Sequence, residues 1–277
     1  MSAATEITRE AHAKVNVFLR VLGGREDGYH ELESLVLPIS LADTVTVRAA
    51  DRLEVDMPGE TGGLNLALVA ALALGDACEG GGALIRIEKR IPVAGGLGGG
   101  SADAAATISA LNELWGCGLD ADTLAEIAAA IGSDVPALLA DGPVLMHGRG
   151  ELLAPAEVPT LWWVVLPSAF GIRTPDAYRW WDEDGGRSGP DPEPVLAAAS
   201  TGDAEALAPL LFNDLEPPVF ARHAQIAEAK GRLVEAGALG AVMCGSGSSV
   251  AGLASDEAHA RAIAASVAEA LVVSGPP

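Results

Sequence analysis

The sequence predicts an α+β fold with largely antiparallel sheets. Two observations carry this reading: segments with strand alternation interleave with segments at helical spacing, and the order lacks the regular strand–helix repeat of a parallel sheet. Two glycine-rich turns, GGLGGGS in the first half and CGSGSS in the second, punctuate that order.

The first segment, AKVNVFLRV, alternates. Val15, Val17, Leu19 and Val21 fall on one face, and Lys14, Asn16, Phe18 and Arg20 on the other, so Lys14 and Asn16 stand side by side. GGREDGYHELE is a glycine- and charge-rich turn, and TVTVRAADRLEVDM reads as a hairpin. Asn65 to Leu74 has the length and composition of a buried helix, and EGGGA follows as a loop. ALIRIEKRI is a further strand, with Ile85, Ile87 and Ile91 on one face, and it leads into Pro92. The next helix starts near Ser101, carries Ala105, Ile108, Leu111 and Trp115 at helical spacing, and stops at Gly116 and Gly118. DADTLAEIAAAIG opens on an Asp cap; SDVPALLA pairs a capping Ser-Asp with a first-turn proline.

Composition loosens around Pro155 to Pro159, which divides the chain into domains 1–155 and 156–277. In the second, LWWVVLP reads as a strand with Trp162 and Trp163 in the core, and Asp182 to Pro194 as a loop. GAVM and VAGLA are strands flanking CGSGSS, and DEAHARAIAASVAEAL is an amphipathic last helix.

The totals narrow the function. A net charge of −21 argues against nucleic acid, whose binding needs many Lys and Arg contacts. Only three lysines occur, Lys14, Lys89 and Lys230, against fourteen arginines, so a pocket for an anion must draw on few cations and on backbone N–H groups. No apolar run is long enough for a bilayer, and the N-terminus lacks a signal-peptide pattern, which predicts a cytoplasmic protein. Cys78, Cys117 and Cys244 match no metal spacing and are expected to be reduced thiols.

Gly95 to Gly100 places five glycines in six positions directly before a helix. Helix N-termini present free N–H groups at the positive end of the dipole, so an anion, and a phosphate first of all, is the expected guest. A Walker A loop fails because it requires a lysine, and the dinucleotide fingerprint fits only loosely, as Gly96, Gly98 and Ser101. A wide glycine loop wrapping nucleotide phosphates remains.

PVAGGLGGGSADAA resembles the second motif of the GHMP kinase superfamily, named for galactokinase, homoserine kinase, mevalonate kinase and phosphomevalonate kinase. AKVN resembles the first motif and GAVMCGSGSSVAG the third. DGYHELESLV, GSDVPALL, TPDAY and NDLE are together similar to the branch that acts on a cytidine-diphosphate-linked methylerythritol in the non-mevalonate isoprenoid pathway. The resemblance implies a two-domain fold, with an N-terminal ribosomal-protein-S5-like domain and a C-terminal ferredoxin-like α/β sandwich. It also implies ATP as co-substrate, with Mg2+, and phosphorylation of the 2-hydroxyl of the methylerythritol in a cleft between the domains.

Carried over by motif, Lys14 and Asp134 are the expected catalytic pair. The ATP site is expected to comprise Asn65 and the loop Pro92, Val93, Ala94, Gly95, Gly96, Leu97, Gly98, Gly99, Gly100, Ser101 and Ala102. Substrate contacts are expected from Asn16, Tyr29, His30, Thr174, Tyr178, Gly245, Ser246 and Gly247, with Tyr29, His30 and Tyr178 taking the cytosine. Arg173 stands where serine is usual and could contact a substrate phosphate; Trp180 and Trp181 are left open. A monomer or weak homodimer is expected, without nucleic-acid or membrane partners. The alternatives are another GHMP small-molecule kinase, of homoserine or mevalonate type, and a nucleotide-binding protein without catalysis.

Overall fold

The computed structural model describes residues 6–58, 65–93 and 95–277. Its contacts divide the chain into two compact units. Unit 1 gathers Met1–Ala13, Leu41–Ile91 and Gly98–Asp141; unit 2 gathers Lys14–Ser40, Pro92–Leu97 and Gly142–Pro277. Two long strands, β1 (Glu6–Gly24) and β2 (His30–Ala49), contribute to both.

In unit 1, β4 (Ala83–Glu88) runs antiparallel to the end of β2, with Thr44 opposite Glu88 and Ala49 opposite Ala83. On its other side β3 (Glu54–Asp56) lies parallel to it. This corrects the expected hairpin: β2 and β3 are separated by β4. Ile85 and Ile87 are both fully buried, which suits an interior strand, and a local turn signal cannot reveal a strand that inserts from thirty residues further on. Among the described residues four helices complete the unit: α1 (Leu66–Cys78), α2 (Gly99–Leu114), α3 (Ala121–Ile131) and α4 (Val135–Leu139). Ala70 of α1 and Ala104 and Ala105 of α2 share a buried cluster with Ile108, Ala128 and Val135, small side chains that let the helices approach closely.

The expectation of three reduced cysteines is corrected here. Cys78, at the end of α1, and Cys117, just beyond α2, are joined in a disulfide with Cα atoms 5.4 Å apart. Side-by-side packing of the two helices brings together residues 39 apart in sequence, which no linear spacing could show.

In unit 2, β5 (Val144–His147) pairs antiparallel with β2 and with β6 (Leu152–Pro155). β8 (Phe212–Asn213) lies parallel to β1, with the rings of Phe18 and Phe212 stacked at 5.4 Å. A second, four-stranded antiparallel sheet has the order β11-β7-β10-β9, formed by β7 (Leu161–Leu166), β9 (Gly240–Met243), β10 (Val250–Ala254) and β11 (Leu271–Gly275). α9 (Ala224–Glu235) and α10 (Glu257–Ser266) pack on it, giving the α/β sandwich expected of the second half. The remaining helices are α5 (Thr174–Glu183), α6 (Glu193–Thr201), α7 (Ala204–Leu207) and α8 (Glu216–Arg222).

The expected last helix is too long. It stops at Ser266, and LVVSG forms an edge strand whose Val273 lies opposite the fully buried Trp163. Among the described residues no helix is long and apolar enough to cross a membrane.

Candidate active site

Lys14 and Asn16 lie two residues apart on β1 and so project from the same face. Each is almost fully buried, at 2% and 1% exposure. Lys14 Nζ donates to Asn16 Oδ1 at 2.7 Å, and the backbone N–H of Gly245 donates to the same oxygen at 3.0 Å. Asn16 Nδ2 donates to Ser34 Oγ at 2.8 Å, and that hydroxyl donates to the carbonyl of Phe18 at 2.6 Å. A buried ammonium must be compensated, and this chain holds the Lys14 head in one place. Gly245 is required there: its φ is +54°, and a Cβ would stand 2.8 Å from Lys14 Nζ.

The first part of the glycine loop belongs to the same unit. Leu97 is buried, and its carbonyl accepts from the Lys14 N–H at 3.0 Å. The Gly95 carbonyl accepts from Ser249 N–H at 3.0 Å. Gly96, at φ +74°, passes so close to the third motif that a Cβ would lie 2.0 Å from the Cys244 carbonyl oxygen. The first and third motifs therefore grip the loop through backbone. Cys244 itself is fully buried, which pushes its thiol up to about 12 and leaves it protonated.

Asn213, from NDLE, braces the third motif from behind: its Nδ2 donates to the carbonyls of Met243 and Gly245, each at 2.8 Å. Glu216 accepts from Met243 N–H at 2.8 Å and from Lys230 Nζ at 2.7 Å, so this second lysine is a structural ion pair.

The His30 ring stacks on Tyr178 at 4.8 Å and meets Trp181 edge-on at 5.9 Å. Its Nε2 lies 3.0 Å from Asp182. Thr174 Oγ1 and Ser246 Oγ are hydrogen-bonded at 3.0 Å, linking the start of α5 to the third motif. Gly247, at φ +91°, backs onto Met243 Sδ. Tyr29 is about half exposed, and its ring carries the Arg149 guanidinium 4.9 Å from the centroid. The structure thus pairs His30 with Tyr178, and Tyr29 with Arg149. Arg173 is 81% exposed and 4.0 Å from Asp176; Trp180 lies beside His223 and Arg222.

In unit 1, the second part of the loop becomes the first turn of α2. Gly98 takes the N-cap position at φ +74°, and Gly99, Gly100 and Ser101 follow, with Ala102 N–H donating to the Gly98 carbonyl at 2.8 Å. Ala94 lies outside the described residues. Asn65 caps α1, its Oδ1 accepting from Ala67 N–H at 2.9 Å and Leu68 N–H at 3.4 Å. Asp134 occupies the N-cap position of α4, but its side chain makes no capping hydrogen bond. Lys14 falls in unit 2 and Asp134 in unit 1.

Sequence reasoning missed Ser34, Asp182, Arg149 and the role of Asn213, and left Trp181 open. Each acts through a partner distant in sequence; only NDLE carried a signal, as part of the motif resemblance.

A helix opening on a glycine loop, a loop gripped by a second glycine turn, and a buried lysine beside both define a phosphate-binding kinase scaffold. The comparisons agree. The GHMP kinases N terminal domain matches residues 65–142 and the GHMP kinases C terminal domain matches 195–273. As a GHMP kinase, the chain uses ATP as co-substrate.

The particular family is shown by full-length relatives. The 4-diphosphocytidyl-2-C-methyl-D-erythritol kinase of Moorella thermoacetica is 43% identical over 273 residues, 95% of each chain. That of Symbiobacterium thermophilum is 44% identical over 256 residues, 89% of this chain and 90% of its own. A crystal structure of 4-(cytidine 5'-diphospho)-2C-methyl-D-erythritol kinase superposes with a TM-score of 0.82 at 39% identity, covering 97% of this chain and 98% of that one. The chain belongs to the 4-diphosphocytidyl-2-C-methyl-D-erythritol kinase family. A homoserine kinase from Cytophaga hutchinsonii, with a TM-score of 0.73 at 21% identity, shares the fold.

Proposed function

We propose that the chain transfers the γ-phosphoryl group of ATP to the 2-hydroxyl of 4-diphosphocytidyl-2-C-methyl-D-erythritol, a step of the non-mevalonate isoprenoid pathway. The carrying observation is 43% identity to a kinase of that name across 95% of both chains.

Phosphoryl transfer asks a protein for positioning, charge stabilisation and a group to take the hydroxyl proton. Asp134 is proposed as that base. Lys14, its head held by Asn16, is proposed to stabilise charge on the reacting oxygen. Pro92 to Ala102 would take the triphosphate on backbone N–H groups, and Asn65 would border the adenine while capping α1. The His30–Tyr178 pair would take the cytosine, with Tyr29 at its rim. Thr174 with Gly245, Ser246 and Gly247 would line the substrate side. Among the described residues no group of three or more His, Cys, Asp or Glu side chains could hold a metal. Mg2+ is proposed to arrive with ATP, held chiefly by phosphate oxygens and water. The domain division at 155/156, a cytoplasmic location and a monomer or weak homodimer belong to the same proposal.

A coupled ADP-release assay over a panel of alcohols tests the reading. ADP release with the cytidylyl substrate, and none with free methylerythritol, homoserine or mevalonate, is expected. Equal turnover of free methylerythritol would reject it.

A further inference from the structure

The third lysine, Lys89, sits between two carboxylates at the base of the glycine loop. Its Nζ donates to Asp103 Oδ2 at 2.7 Å and is ion-paired with Asp43. Asp43 is fully buried, and its other oxygen accepts the backbone N–H groups of Arg90 and of Ile91, the latter at 2.8 Å. Those are the last two N–H groups before Pro92, which has none. Asp103, 3% exposed, lies on α2 four residues after Gly99. Gly99 in turn is pressed against Ile91, where an added Cβ would stand 3.0 Å from Ile91 Cγ2.

Electrostatically the arrangement is unexpected. With both acids ionised, as at pH 8, two carboxylates and one lysine leave a net negative cluster beside a loop built for an anion, and one Asp103 oxygen has no hydrogen-bond partner among the described residues. A device for attracting phosphate would not be made this way. A device for fixing backbone would, since Asp43 holds the segment entering the loop, Asp103 belongs to the helix leaving it, and Lys89 bonds to both.

We propose that Asp43, Lys89 and Asp103 form a staple across the two stems of the glycine loop. It acts on nucleotide affinity by presetting the loop, and Lys89 serves as a positioning residue rather than a phosphate contact. The inference rests on the loop being the ATP site. A loop whose ends are tied loses less freedom on closing around a triphosphate than one whose ends are free.

The test is Asp103→Ala, assayed at pH 8 with ATP and the cytidylyl substrate each varied. The KM for ATP should rise about tenfold while that for the cytidylyl substrate stays within about twofold, a loss confined to one binding step. Asp103→Asn, which keeps an oxygen in place, should recover most of the loss. If Lys89 instead touched the nucleotide, freeing it from Asp103 would leave the ATP KM unchanged or lower it, and the staple would be rejected. Equal increases in both KM values would reject it too. Should Asp103→Ala not fold, Lys89→Arg carries the test, because a broader planar head cannot sit between the two acids in the same way. The same split is expected, and an unchanged ATP KM overturns the proposal. A wild type that releases no ADP from ATP would instead overturn the assignment of the reaction.

Discussion

The imidazole of His30 lies stacked on the ring of Tyr178, with centroids 4.8 Å apart and planes at 29°. Trp181 closes one edge, and Asp182 accepts from Nε2. In the neutral ring that bond places the proton on Nε2 and leaves Nδ1 as an acceptor. A flat aromatic surface with an oriented polar edge suits a pyrimidine. Replacing Tyr178 with Ala removes the stacking partner, worth about 1–3 kcal/mol by comparison with base–aromatic stacking, or roughly 5- to 150-fold in KM. The KM for the cytidylyl substrate should rise within that range and the ATP KM should hold. Steady-state kinetics with each substrate varied checks this; a selective rise in the ATP KM would contradict it.

Asp134 stands at a helix start without capping it. Asp134→Asn keeps the size and hydrogen-bonding reach of the side chain, so thermal stability should change little while kcat falls by roughly 10²–10⁴. Nucleotide affinity should persist, since the interaction lost belongs to the transition state. A melting curve beside the kinetics decides the matter. A clear drop in Tm with normal turnover of the folded fraction would make the residue structural.

Gly96 and Gly100 sit four residues apart in the same loop and should respond oppositely to alanine. At Gly96 the backbone is left-handed and the new methyl would meet the Cys244 carbonyl oxygen at 2.0 Å. At Gly100 the nearest atom is Leu66 Cδ1, at an ordinary 3.7 Å. Gly96→Ala should lower Tm sharply and abolish ATP turnover. Gly100→Ala, on a helical residue, should hold or raise Tm. Differential scanning of both proteins suffices, and similar melting points would refute the packing argument.

Burial raises the Asp103 carboxyl to about 7, against the attraction of Lys89 and with a further upward push from Asp43. In the unfolded chain the same group releases its proton near its ordinary 3.8. Between about pH 4 and 7 the folded protein therefore holds the extra proton, so this contribution to stability falls as pH rises across that window and is level above it. Asp103→Asn removes the titration. Urea unfolding at pH 5 and pH 8 should show the variant gaining stability relative to wild type as pH rises. A relative loss would overturn the sign.

Much of this was legible in the chain. Alternation placed Lys14 and Asn16 on one face of a strand, glycine density marked the loop before α2, and the Asp120 cap stands where local chemistry asks for it. Such features depend on neighbours a few residues away, and backbone geometry alone relates them. Tertiary structure decided what depends on distant partners. It inserted β4 between β2 and β3, joined Cys78 to Cys117, and turned the chain's last apolar residues into a strand beside β7. It also decided which polar groups meet: Asn16 with Gly245, His30 with Asp182, Lys89 with Asp43 and Asp103. A buried charge or amide must find a partner when water is excluded, but which partner it finds depends on how the sheets and helices pack, a relationship that no spacing along the chain encodes.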